Sequence, residues 1–121
     1  MSLKIAIKQK EQDVFVVSLS GPFDSVSYLD FEREITKLLA LPVKAVILDM
    51  KGVDYISSLG VGAVFKMMRS MQDQRTSLLL VNLQPQIQKV LETVKALPDG
   101  VFKSVEEVDE YLSGIQKRFL K

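Results

Sequence analysis

Residues 44–68 read KAVILDMKGVDYISSLGVGAVFKMM, and two patterns of different period meet inside them. Lys44 to Met50 is a short, continuous apolar run of the kind that lies in the middle of a sheet. From Leu59 to Gln72, the residues Val64, Met67, Met68 and Met71 recur at helical spacing. A second apolar run, SLLLVNL from Ser77, follows that helix. Strand, helix, strand is the economical reading, and it carries a right-handed crossover between parallel strands. Where the first strand hands over to the helix stand two serines and two glycines, Ser57, Ser58, Gly60 and Gly62.

On the N-terminal side, LKIAIKQ alternates apolar and polar residues from Leu3, and VFVVSLSG from Val14 is more fully apolar. With Lys10 to Asp13 between them, they predict a hairpin. After Gly21 and Pro22, SVSYLDFEREITKLLAL spaces Tyr28, Phe31, Ile35, Leu38 and Leu39 three or four apart, an amphipathic helix ended by Pro42. On the C-terminal side, Pro85 suits a first helical turn, and Ile87, Val90, Leu91 and Val94 form one apolar face. ALPDG breaks that helix. Val101 and Phe102 suggest a short edge strand, and Ser104 and Glu107 stand at capping-box spacing before a fourth helix bearing Val108, Tyr111, Leu112, Ile115 and Phe119. The expectation is an α/β fold: one domain over residues 1–121, with a mixed four- to five-stranded sheet covered by about four amphipathic helices.

Composition narrows the function. The chain has 121 residues, 47% hydrophobic and 26% charged, enough for one core without staples. Sixteen basic and fifteen acidic side chains leave a formal charge of +1, so no net field favours nucleic acid or an anionic membrane. There is no cysteine, which removes disulfides, thiolate zinc sites and cysteine nucleophiles. There is no histidine either, which removes serine–histidine triads and the commonest general base. No cofactor and no metal is expected. The N-terminus has no signal-peptide pattern and no segment is long enough to span a membrane, so a cytoplasmic location is the default expectation.

Open α/β sheets carry their sites at the carboxyl ends of strands, and DYISSLGVG is such a loop. Ser57 or Ser58 can cap the helix, whose first N–H groups lack intrahelical partners. Gly60 and Gly62 each cost up to about 1 kcal/mol relative to alanine in a helix interior, so something should compensate for them. Either the helix sits close to the sheet there, or another molecule approaches its backbone. A nucleophilic hydroxyl would need an adjacent base, and none stands at a recognisable spacing. A phosphate-cradling loop would need a lysine before its hydroxyl, and it is missing. No enzyme is therefore expected, and the residues do not favour a nucleotide-binding loop.

The set of motifs resembles the STAS domain family, and within it the bacterial anti-sigma factor antagonists. The matches are the apolar strand ending in LDM followed by GVDYISSLGVG, the segment SLSGPFD after the second strand, and LLLVNLQPQIQKVLE, a strand followed by a proline-started helix. They fall in order along nearly the whole chain. Aligned through Gly60 and Gly62, the family's phosphorylatable serine falls on Ser58. Ser57 stands where the family commonly has Asp, and Leu59 where it commonly has serine or alanine. The resemblance implies a binding switch: the unmodified domain binds an anti-sigma factor of the ATPase and serine-kinase type, phosphorylation of Ser58 releases it, and a phosphatase resets it. The partner surface it implies comprises Asp24, Tyr55, Ser57, Ser58, Leu59, Gly60 and Gly62, with Lys66 and Arg69 farther along the helix. A homodimer stays open.

Each residue also has a plainer role. Ser58 can be a first-turn residue only, Asp24 a cap of the first helix, Tyr55 a partly buried turn residue, and Lys66 and Arg69 a solvated face. The methionine stripe is expected in the core. Two other functions remain: a constitutive STAS module in a stressosome-like sensory assembly or beside a membrane transporter, and a small-ligand or nucleotide sensor.

Overall fold

In the computed structural model, residues 3–93 and 100–102 are described. The order of elements is β1 (Lys4–Glu11), β2 (Val14–Ser20), α1 (Tyr28–Leu39), β3 (Ala45–Gly52), α2 (Ser58–Asp73), β4 (Ser77–Val81), α3 (Pro85–Thr93) and β5 (Gly100–Phe102). The strands form one five-stranded mixed sheet in the order β1-β2-β3-β4-β5. β1 and β2 pair antiparallel, and every other neighbouring pair is parallel. The predicted short edge strand is β5. The predicted fourth helix, and Val94 of the third, lie outside the described residues.

The hairpin turns at Gln12 and Asp13, where Asp13 adopts φ 62°, a left-handed conformation that aspartate tolerates better than most side chains. The Asp13 carbonyl then accepts from Lys44 N at 2.7 Å, tying the hairpin tip to the entry of β3. Alternation along the strands divides the core between two faces of the sheet. Val17, Leu19, Val46, Leu48, Met50, Leu78 and Leu80 face the helices and pack with Phe31 and Ile35 of α1, Val64, Met67 and Met71 of α2, and Ile87 and Leu91 of α3. On the opposite face, Val14, Ala45, Ile47, Leu79 and Val81 form a smaller buried cluster. Central strands buried on both faces are what continuous apolar runs specify. Met67 and Met71 are buried and Met68 half-buried, so the methionine stripe is core.

α1 and α2 each follow a strand of the parallel set, so both begin at the same end of the sheet. They lie side by side, bridged by Lys66 Nζ and Glu32 Oε2 at 3.1 Å.

Candidate surface at the opening of the first two helices

The links entering α1 and α2 run together beyond the sheet. Gly21 N donates to the Gly52 carbonyl at 2.9 Å, with Gly21 at φ 109°, a conformation that favours glycine. Phe23 and Ile56 then form an isolated parallel bridge. Phe23 N donates to the Tyr55 carbonyl at 3.1 Å, and Ser57 N donates to the Phe23 carbonyl at 2.9 Å. Phe23 is fully buried, its ring 4.8 Å from that of Phe31. An aromatic anchor and a short ladder thus bring Asp24 beside Ser57 and Ser58, although the residues are more than thirty apart in sequence.

The two serines divide the roles that sequence left open. Ser57 has an extended backbone, φ −88° and ψ 173°, and is the N-cap: its Oγ accepts from Gly60 N at 3.2 Å. Ser58 is the first residue of α2, exposed, and its hydroxyl makes no hydrogen bond to any described residue. The glycines divide as well. A Cβ on Gly60 would lie 2.6 Å from the Phe23 carbonyl oxygen and 2.9 Å from the Ile56 side chain, so Gly60 is buried because the link into α1 presses on it. A Cβ on Gly62 would meet nothing within 4 Å.

Asp24 serves the turn before α1 rather than the helix end itself. Its Oδ1 accepts from Val26 N and Ser27 N, both at 2.9 Å, and from Ser27 Oγ at 3.1 Å. The Ser27 N–H, then the Val26 N–H, hold its carboxyl below the usual value of 3.8 against the opposing effect of desolvation, and the Ser27 hydroxyl adds to the lowering. Ser27 is buried, and its single hydroxyl proton is shared between the Pro22 carbonyl at 2.8 Å and Asp24 Oδ1. Asp24 is therefore a fixed, charged group whose Oδ2 accepts no hydrogen bond from a described residue.

Tyr55, Leu59, Lys66 and Arg69 are all exposed. The Arg69 guanidinium lies 5.8 Å from the centre of the Phe65 ring, and Arg69 has no acidic partner among the described residues. Sequence reasoning missed three neighbours. Val26 (80% exposed), Leu29 and Phe65 join Tyr55 and Leu59, so five of the eight exposed large apolar side chains among the described residues lie on these links and the opening turns. Isolated exposed apolar residues are ordinary, whereas a concentration at one end of a sheet marks a contact surface. Their signal was present: Leu29 stands one residue off Tyr28, which heads the stripe Phe31–Ile35–Leu38, and Phe65 one residue off the stripe Val64–Met67–Met71.

The groove between α1 and α2, lined by Glu32, Ile35, Lys66 and Met67 among others, holds about 60 Å³. Sites for small molecules usually offer ~300–1,000 Å³. Among the described residues, no helix is long and apolar enough to cross a membrane.

The family model of the STAS domain matches residues 5–108. No curated protein sequence gives a significant match. Among solved structures, the anti-sigma factor antagonist SpoIIAA in its unphosphorylated form is similar at a TM-score of 0.79 and 20% identity, over 92% of this chain and 97% of that one. The Bacillus cell fate determinant SpoIIAA in its phosphorylated form is similar at 0.74 and 20% identity, over 90% and 99%. Murine Slc26a9, an anion transporter, is similar at 0.76 and 19% identity, over 88% of this chain but 18% of that protein. At these identities the likeness is one of fold.

Proposed function

The chain belongs to the STAS domain family, and we propose that within it this protein is an anti-sigma factor antagonist: a phosphorylation-controlled binding switch rather than an enzyme. Unmodified, it binds a cytoplasmic anti-sigma factor of the ATPase and serine-kinase type through the opening of α1 and α2. Phosphorylation of Ser58 releases that partner, and a phosphatase restores binding.

The observation that carries this reading is the exposed, unbonded Ser58 hydroxyl within a concentration of exposed apolar side chains. Because Ser57 alone caps α2, modification of Ser58 leaves the cap intact. Phosphate would add about −1.5 to −2 charges. At a helix N-terminus that charge is tolerated by the folded domain. SpoIIAA supports the same point, since this chain resembles both its unphosphorylated and its phosphorylated form. At an interface the charge is not tolerated: an unpaired buried charge costs on the order of 2–5 kcal/mol, a loss of roughly thirty-fold to several thousand-fold in affinity. Asp24 is charged in both states, so the phosphate would be a second negative group on that surface.

The test is a paired pull-down from native lysate, with wild type and Ser58→Asp as baits and mass spectrometry as readout, including a search for phospho-Ser58. Recovery of an anti-sigma ATPase kinase by the wild type alone is the expected result. Recovery of one partner by both baits, with no phosphate, would favour a constitutive STAS module of the kind that the likeness to part of Slc26a9 suggests.

A further inference from the structure

We infer that Gly62 is a seat for an apolar side chain of the partner, and that the face around it selects a partner segment in which that side chain stands beside a carboxylate. This deepens the reading above and rests on it. Gly62 is a residue the fold does not use: it is exposed, inside a sixteen-residue helix, and an added Cβ would meet nothing within 4 Å. Glycine there disfavours the helix, while Gly60, two residues earlier, is required by packing. On a helix the neighbours of position 62 are those three and four residues away. They are Ser58, Leu59, Phe65 and Lys66, and all four are exposed. Bare backbone thus lies open on a face that also carries two apolar side chains, a hydroxyl and an ammonium group.

Charge decides what fits. From Ser58 to Gln72 the only ionisable groups of the helix are Lys66 and Arg69, and Asp73, its last residue, makes no ion pair with Arg69. Lys66 is shared with Glu32, but Arg69 has no acidic partner among the described residues and stacks near Phe65. A segment pairing Leu, Ile, Phe or Met with a nearby Asp or Glu would lay its apolar side chain on that bare backbone and reach Arg69. Phosphate on Ser58, one helical turn from Gly62, would set charge and bulk against the seated apolar side chain. One seat would then both recognise the partner and report the modification.

The probe is a displayed library of random dodecapeptides, selected on the folded wild-type chain and ranked by binding to wild type, Gly62→Ala, Arg69→Glu and Ser58→Asp. Gly62→Ala is expected to melt a few degrees above wild type, because it fills open space with a better helix former, so its binding defect cannot be one of folding. The inference expects selected peptides to carry an apolar residue beside an acidic one, and to bind Gly62→Ala and Arg69→Glu at least tenfold more weakly. Failure to select such peptides, or binding to Gly62→Ala within twofold of wild type, overturns it. Peptides sensitive to Gly62→Ala but indifferent to Ser58→Asp would keep the seat and reject the phosphorylation switch. In the pull-down, a partner lost with Ser58→Asp yet kept by Gly62→Ala would reject the seat and keep the switch.

Discussion

Ser57 and Ser58 are chemically identical neighbours, and one torsion angle separates their fates. With ψ at 173°, Ser57 turns its hydroxyl back onto the Gly60 N–H, and Ser58, already helical, turns its own outward. Ser57→Ala is expected to cost about 1 kcal/mol and Ser58→Ala under about 0.5 kcal/mol, measured by urea denaturation. Gly60→Ala should cost about 1–3 kcal/mol or more in the same assay, because the obstacle 2.6 Å from its Cβ is a backbone carbonyl that a rotamer change cannot move. Asp24 titrates below its usual value because folded N–H groups stabilise its charge. Its contribution is therefore present above pH 3.8, the ordinary value, and is lost as pH falls through the depressed one. The stability advantage of wild type over Asp24→Asn should accordingly be constant at neutral pH and shrink below pH 3.8, as followed by denaturation at stepped pH. Sequence could place two serines and two glycines at a helix mouth. It could not say which serine caps or which glycine is pressed, because the Phe23 carbonyl that decides the second question comes from a segment thirty-seven positions away.

At the scale of elements, apolar runs and helical stripes were enough to read β3, β4, α1 and α2, since each is buried against the others and its pattern is dictated by burial. What the pattern hid was the exposed set. Apolar residues are assigned to a core by default, so Val26, Leu29 and Phe65 were passed over although the latter two miss their stripes by one residue. The link after β4 also needed coordinates. Asn82 adopts φ 58° and donates from Nδ2 to Asp49 Oδ1 at 3.1 Å, and Gln84 and Gln86 donate to the carbonyls of Lys51 and Asp54. These bonds tie the start of α3 to the loop that presents Tyr55 and Ser58. Asn82→Ala forfeits both the hydrogen bond and the tolerance of a left-handed backbone, and is expected to destabilise by about 1–2 kcal/mol in a chemical denaturation series. The exposed Lys66–Glu32 pair, by contrast, is a guide to how the helices sit rather than a source of stability.

Across the described residues, the sheet and its helices form one framework, and the proposed chemistry is confined to one end of it. The proposed switch requires no change of fold: phosphate on Ser58 would add negative charge to a surface that already carries Asp24, and the partner would respond to the added charge. The most direct test is calorimetric titration of the anti-sigma kinase recovered by the wild-type bait into the unmodified chain and into the chain phosphorylated on Ser58. The dissociation constant for the phosphorylated chain is expected to be higher by roughly thirty-fold to several thousand-fold, with the two chains equally folded. Affinities within threefold of one another would contradict the switch and leave a binding module that ignores the state of Ser58.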